Sequence, residues 1–96
     1  MTALATLNPV EVRRILWACY DYWKQIELPE AQRAICYSWV IDRYRSKFGG
    51  TFHQSALGEL AKLGYLTKDD STRAGSRRYY RLTNPAAVAA LTSVLN

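Results

Sequence analysis

The chain has 96 residues and a mass of 11.0 kDa, room for one domain of ordinary size. It is 49% hydrophobic and 22% charged, which excludes wholesale disorder, and a chain of this length buries roughly 60% of its unfolded surface on folding. The longest apolar run, residues 35–41, is interrupted by Ser38, far short of the roughly 20 residues that span a bilayer. The N-terminus shows neither the basic nor the apolar region of a secretory signal, so a cytoplasmic location is expected. Cys19 and Cys36, with the lone His53, cannot supply a disulfide framework or a zinc cluster; they read as buried free thiols.

In chain order, residues 1–7 read as a flexible leader, and 8–96 as one domain. Asn8-Pro9-Val10-Glu11 has the form of a helix start: Asn8 as cap, Pro9 at the first position, and Glu11 able to reach back to the cap amide. Val12, Ile15, Leu16, Cys19, Tyr20 and Trp23 then recur at three- and four-residue spacing, predicting an amphipathic helix to about Ile26. Leu28-Pro29-Glu30 breaks the chain. A second helix is predicted to carry Ile35, Trp39 and Tyr44 and to end at Gly49-Gly50.

A third helix is expected over about 51–63, with Thr51 as cap and Gln54 completing a capping box. Its apolar stripe is Ala56, Leu57, Leu60, Ala61 and Leu63, and Gly64 stops it. Residues 65–68 and 78–83 read as two strands of a hairpin with a long polar tip. Asn84-Pro85 opens a last helix over about 85–95, with Val88, Leu91, Val94 and Leu95 on its apolar face. The expected fold is therefore α+β and mostly α: three helices, a two-stranded β-hairpin and a C-terminal helix.

Charge is distributed unevenly. Residues 1–41 carry four cations and four carboxylates, and residues 82–96 carry no charge. The entire net charge of +5 therefore lies within residues 42–81, with Arg73, Arg77, Arg78 and Arg81 unopposed after Asp70. A concentrated excess of this kind points to an anionic partner, most often nucleic acid.

The segment Leu57-x-x-Leu60-x-x-x-Gly64-Tyr65-Leu66, then a charged turn, then Arg78-Tyr79-Tyr80-Arg81-Leu82-Thr83 and Pro85, resembles a winged helix-turn-helix domain of the bacterial, archaeal or viral regulator type. The match is good over residues 51–85 and extends to roughly 30–95. The resemblance implies a recognition helix at about 51–63, a wing at about 65–83, and double-stranded DNA as partner. The outward positions of that helix, Thr51, His53, Gln54, Ser55, Gly58, Glu59 and Lys62, would face the major groove. Gln54 either pairs with an adenine edge or serves only the capping box, and Ser55 suits a base or a phosphate. His53 either joins the contact or is an ordinary surface residue. Gly58 would admit a close approach to the helix backbone.

In the wing, strand alternation sets Arg78, Tyr80 and Leu82 on one face and Arg77, Tyr79 and Arg81 on the other, and the resemblance implies that Leu82, and with it Tyr80, packs on the core; Lys68, Arg73, Arg77 and Arg78 are the candidate contacts to phosphates or a narrow minor groove. Trp17, Tyr20, Trp23, Trp39 and Tyr44 read as core or dimer contacts rather than as a stacking platform for single strands. The charge-free C-terminal helix, together with the first, is the expected homodimer seam, the alternative being packing within its own domain. No phosphate-binding glycine loop, paired carboxylates or triad is legible, so neither catalysis nor a cofactor, metal or small-molecule ligand is expected. The expected role is a small transcriptional regulator or accessory DNA-binding factor of the nucleoid. The alternatives are a protein-interaction module with an incidental basic wing, or RNA binding through the wing.

Overall fold

The computed structural model describes residues 7–69 and 78–96. Among them the fold is α+β and mostly helical, with four α-helices and a three-stranded antiparallel sheet. Helix α1 (Pro9–Trp23) starts where the sequence places it: Asn8 is extended and its Oδ1 accepts from the Glu11 amide at 2.8 Å. The Glu11 carboxylate does not return to the cap. It accepts instead from the hydroxyl of Tyr44, joining α1 to the second helix. The helix also ends earlier than Ile26, its last turn closing at Lys24.

A short 3₁₀ turn (Glu30–Gln32) leads into β1 (Ile35–Cys36), which passes directly into α2 (Tyr37–Phe48). The sequence pattern places Ile35 inside the second helix; it is strand because the edge of β3 offers backbone partners there, with Ile35 opposite Tyr80 and Cys36 opposite Tyr79. Apolar periodicity over so short a run does not separate strand from helix. The sheet, in the order β1-β3-β2, therefore has one strand more than the expected hairpin of β2 (Leu66–Asp69) and β3 (Tyr79–Leu82).

Gly49 and Gly50, at φ +73° and +79°, turn the chain back after α2 in a conformation that side chains with a Cβ rarely adopt. Helix α3 (Ser55–Lys62) then begins four residues later than Thr51. The cause is Phe52. Its ring is buried 4.9 Å from that of Tyr44 and 5.4 Å from that of Tyr37, and the Tyr37 hydroxyl donates to its carbonyl at 2.6 Å. So held, residues 51–54 cannot join the helix, and the expected capping box of Thr51 and Gln54 does not form. Gln54 precedes the helix without a side-chain cap bond. Leu63, expected in the apolar stripe, is 59% exposed, because it falls beyond the last helical turn.

Helix α4 (Pro85–Thr92) repeats the asparagine-proline start, with Asn84 Oδ1 accepting from the Ala87 amide at 3.1 Å, and continues as a 3₁₀ turn (Ser93–Leu95). It packs along α1, burying Val88 and Thr92, and the Trp17 indole donates to Asn96 Oδ1 at 2.9 Å. The core unites Ile15, Leu16 and Cys19 of α1 with Val40 of α2, Leu57 and Leu60 of α3, Leu66 and Leu82 of the sheet, and Val88 of α4. Both cysteines are buried and free. Among the described residues no helix is long and apolar enough to cross a membrane, and no group of three potential metal ligands occurs.

Burial pushes the Cys19 thiol well above its ordinary range, outweighing a backbone hydrogen bond that acts in the opposite direction. Burial, and then the bond to Glu11, raise the Tyr44 hydroxyl in the same sense. A group whose folded pKa is raised contributes stability that is fully present below its unfolded value, about 8.5 for a thiol, and is lost as pH rises toward the folded one. In urea unfolding, the stability advantage of the wild type over Cys19→Ala is therefore expected to hold through neutral pH. Above about pH 9 it should shrink by roughly 1.4 kcal/mol per pH unit. An advantage independent of pH up to about 10 would contradict the buried-thiol account.

Candidate functional site

Strand β3 lies at the centre of the sheet, and its alternation turns Tyr80 and Leu82 toward the helices while Tyr79 and Arg81 face the other way. The register sets Leu66 opposite Leu82 and Lys68 opposite Tyr80. The first pair is sealed in the core. The second, one step outward, borders an open cleft of about 880 Å³. Arg78, two residues before Tyr80 and on the same face, also lines this cleft. Helix α3 forms the opposite wall: Leu57 and Leu60 hold it to the core, and Ser55, Gly58, Glu59 and Lys62 line the cleft. Cys36, Tyr37 and Ser38, where β1 becomes α2, close the end.

The approach to α3 is organised by His53. Its Nδ1 accepts from the Ser55 amide at 3.1 Å and lies 2.9 Å from the Ser55 hydroxyl, so the histidine performs the capping that Thr51 and Gln54 do not. With Nδ1 accepting, Nε2 is the ring nitrogen that carries the proton as a donor. Gln54, having no cap bond, lines the cleft alongside.

Charge in the cleft is one-sided. Lys62 comes from α3, Lys68 from β2 and Arg78 from the approach to β3, and Glu59 is the one carboxylate among the described lining residues. Lys62 Nζ lies 3.6 Å from the Glu59 carboxylate, an exposed i,i+3 pair of small energetic weight. Hydroxyls of Ser38, Ser55 and Tyr80 add neutral donors. The lining is thus rich in donors and cations, chemistry that holds phosphates and other acceptor-rich groups.

Gly58 occupies the middle of the α3 wall. A glycine inside a helix costs roughly 1 kcal/mol relative to alanine. A Cβ placed there would meet, among the described residues, only the Tyr80 hydroxyl at 4.0 Å, an ordinary contact.

The reverse face of the sheet is braced from α1. Trp39 lies edge-on to Tyr79 at 5.8 Å and stacks on Tyr22 at 5.3 Å. Arg43 covers Tyr22 at 5.2 Å, while its guanidinium donates to Asp21 at 2.8 Å and to Gln25 at 2.6 Å. The remaining large aromatics of α1 and α2 are also engaged: Trp23 and Tyr44 are buried, Lys47 lies over Trp17, and Lys24 over Tyr20.

Of the residues expected to form the site, His53, Gln54, Ser55, Lys62, Lys68 and Arg78 come together around the cleft. Thr51 is exposed but does not line it, since the clasp at Phe52 holds residue 51 away from it. Arg73 and Arg77 lie outside the described residues. Sequence reasoning missed Cys36, Tyr37 and Ser38. Their place follows from the pairing of β1 with β3, a long-range contact that no local pattern around residue 36 announces. No family model matches this sequence, and comparison with curated proteins and with solved structures returns no match.

Proposed function

We propose that this chain is a winged-helix domain that binds double-stranded DNA, acting in the cytoplasm as a small transcriptional regulator or accessory factor of the nucleoid. The observation that carries the reading is the convergence of Lys62, Lys68 and Arg78, from three separate segments, on one donor-rich cleft beside α3. In this reading α3 enters the major groove. Gln54 and Ser55, at its exposed beginning, address base edges, and the cations of α3 and of the β2–β3 hairpin hold phosphates. The order of helices, with a hairpin between α3 and α4, supports the winged-helix assignment. Phosphate contacts supply affinity, and the few base-reaching side chains supply a modest preference among sequences.

Binding to two half-sites calls for a two-fold partner. The inner face of α4 is already packed on α1, so a second copy would use the outer face, where Ala86, Ala90 and Val94 are exposed and no charge opposes association. In sedimentation equilibrium the wild type is then expected as a dimer and Ala90→Arg as a folded monomer; a monomeric wild type would remove the dimer from the reading.

Fluorescence anisotropy of a mixed-sequence duplex across a salt series tests the central claim. Wild type should bind with steep salt dependence. The double variant Lys68→Ala with Arg78→Ala should bind more weakly to every sequence, its salt slope lower by about 0.9 for each phosphate no longer neutralised. An unchanged slope would dismiss these two cations as DNA contacts. Binding of RNA in preference to the duplex, or of neither, would dismiss the DNA reading itself.

A further inference from the structure

Among the described residues, neither the backbone conformation nor a close contact requires a glycine at position 58. It sits mid-helix in ordinary right-handed conformation, where glycine weakens the helix, and the space beside it accepts a methyl group without displacing anything. Its neighbours give that space a direction. Gly58 faces the cleft, with Lys62 one turn further along the same wall and Lys68, Tyr80 and Arg78 across from it. The groups that converge there are hydrogen-bond donors and cations, with one carboxylate, Glu59, drawn toward Lys62. Large apolar side chains that would stack a base are few: Leu57 is 1% exposed and Tyr80 5%, its hydroxyl opposite Gly58, which leaves the half-buried ring of Tyr37.

We infer that one sugar–phosphate strand of the bound nucleic acid runs through the cleft between α3 and the sheet, and that Gly58 is its point of closest approach to the protein backbone. This rests on the DNA-binding reading and adds to it which chemical part of the ligand the cleft receives. The missing Cβ lets the strand lie against the helix, within reach of Lys62 on one side and of Lys68 and Arg78 on the other. A side chain at position 58 would hold the strand away from both banks at once. The helix gives up some stability at this position to keep the passage clear.

One substitution should move two quantities in opposite directions. In Gly58→Ala, thermal unfolding should move up, by roughly 4–8 °C if the full helix-propensity gain is realised. Affinity for a mixed-sequence duplex at fixed salt should fall by about tenfold, a loss equal to about 1.4 kcal/mol. Gly58→Leu, bulkier at the same place, should bind more weakly still, and circular dichroism would verify that its helix content is kept. Wild-type affinity in a folded Gly58→Ala would overturn the inference while leaving salt-dependent duplex binding by the wild type, and hence the DNA reading, intact. Failure of the wild type itself to bind the duplex at low salt would overturn both.

Discussion

The clasp between Phe52 and the second helix governs where everything around the cleft lies. The ring of Phe52 is wedged between Tyr37 and Tyr44, one at the start of α2 and the other two turns along it, and the Tyr37 hydroxyl fixes its carbonyl. Burying one aromatic ring of this kind is worth about 2–3 kcal/mol, more than a single capping interaction of about 1 kcal/mol. That difference explains why residues 51–54 stay with α2 instead of forming the first turn of α3. The same clasp brings His53, Gln54 and Ser55 to the cleft and hands the capping role to the imidazole.

The second organising element is β3. It is the strand with a neighbour on each side, and its residues divide their work by parity. Leu82 and Tyr80 descend from core to cleft on one side, while Tyr79 rests on the Trp39–Tyr22–Arg43 stack on the other. The ion pair of Arg43 with Asp21 is partly shielded, and Gln25 occupies a further donor. Such shielding and shared use of one guanidinium make it stronger than an exposed pair. The strand that presents Tyr80 to the cleft is thereby anchored to α1.

Much of this is legible in the sequence where the signal is local. The asparagine-proline starts of α1 and α4, the glycines ending α2 and α3, and the alternation of Tyr79 to Leu82 each follow from backbone requirements of neighbouring residues. The cationic cleft residues are legible too, because charge concentration survives any error in element boundaries. What escapes depends on partners distant in sequence. Ile35 reads equally well as helix or strand until Tyr80 is set beside it, and Thr51 reads as a cap until Phe52 is given Tyr44 to pack on. Ser38 enters the cleft wall only as a consequence of the first of these. Glu11 misleads for a related reason: a capping box and a tertiary hydrogen bond compete for one carboxylate, and the Tyr44 hydroxyl, on a buried residue, has the greater need of an acceptor.

Strand β1 runs into α2 without an intervening loop, Cys36 being both the end of one and the cap position of the other. Two walls of the cleft, the sheet and the start of α2, are consequently one continuous stretch of backbone. The third wall, α3, reaches that piece through the Gly49–Gly50 turn at one end and through the Gly64 turn, at φ +92°, at the other. Between those two glycine turns α3 is held by Ala56, Leu57 and Leu60, all buried in the core, so the width of the cleft is set by core packing and by the Phe52 clasp together.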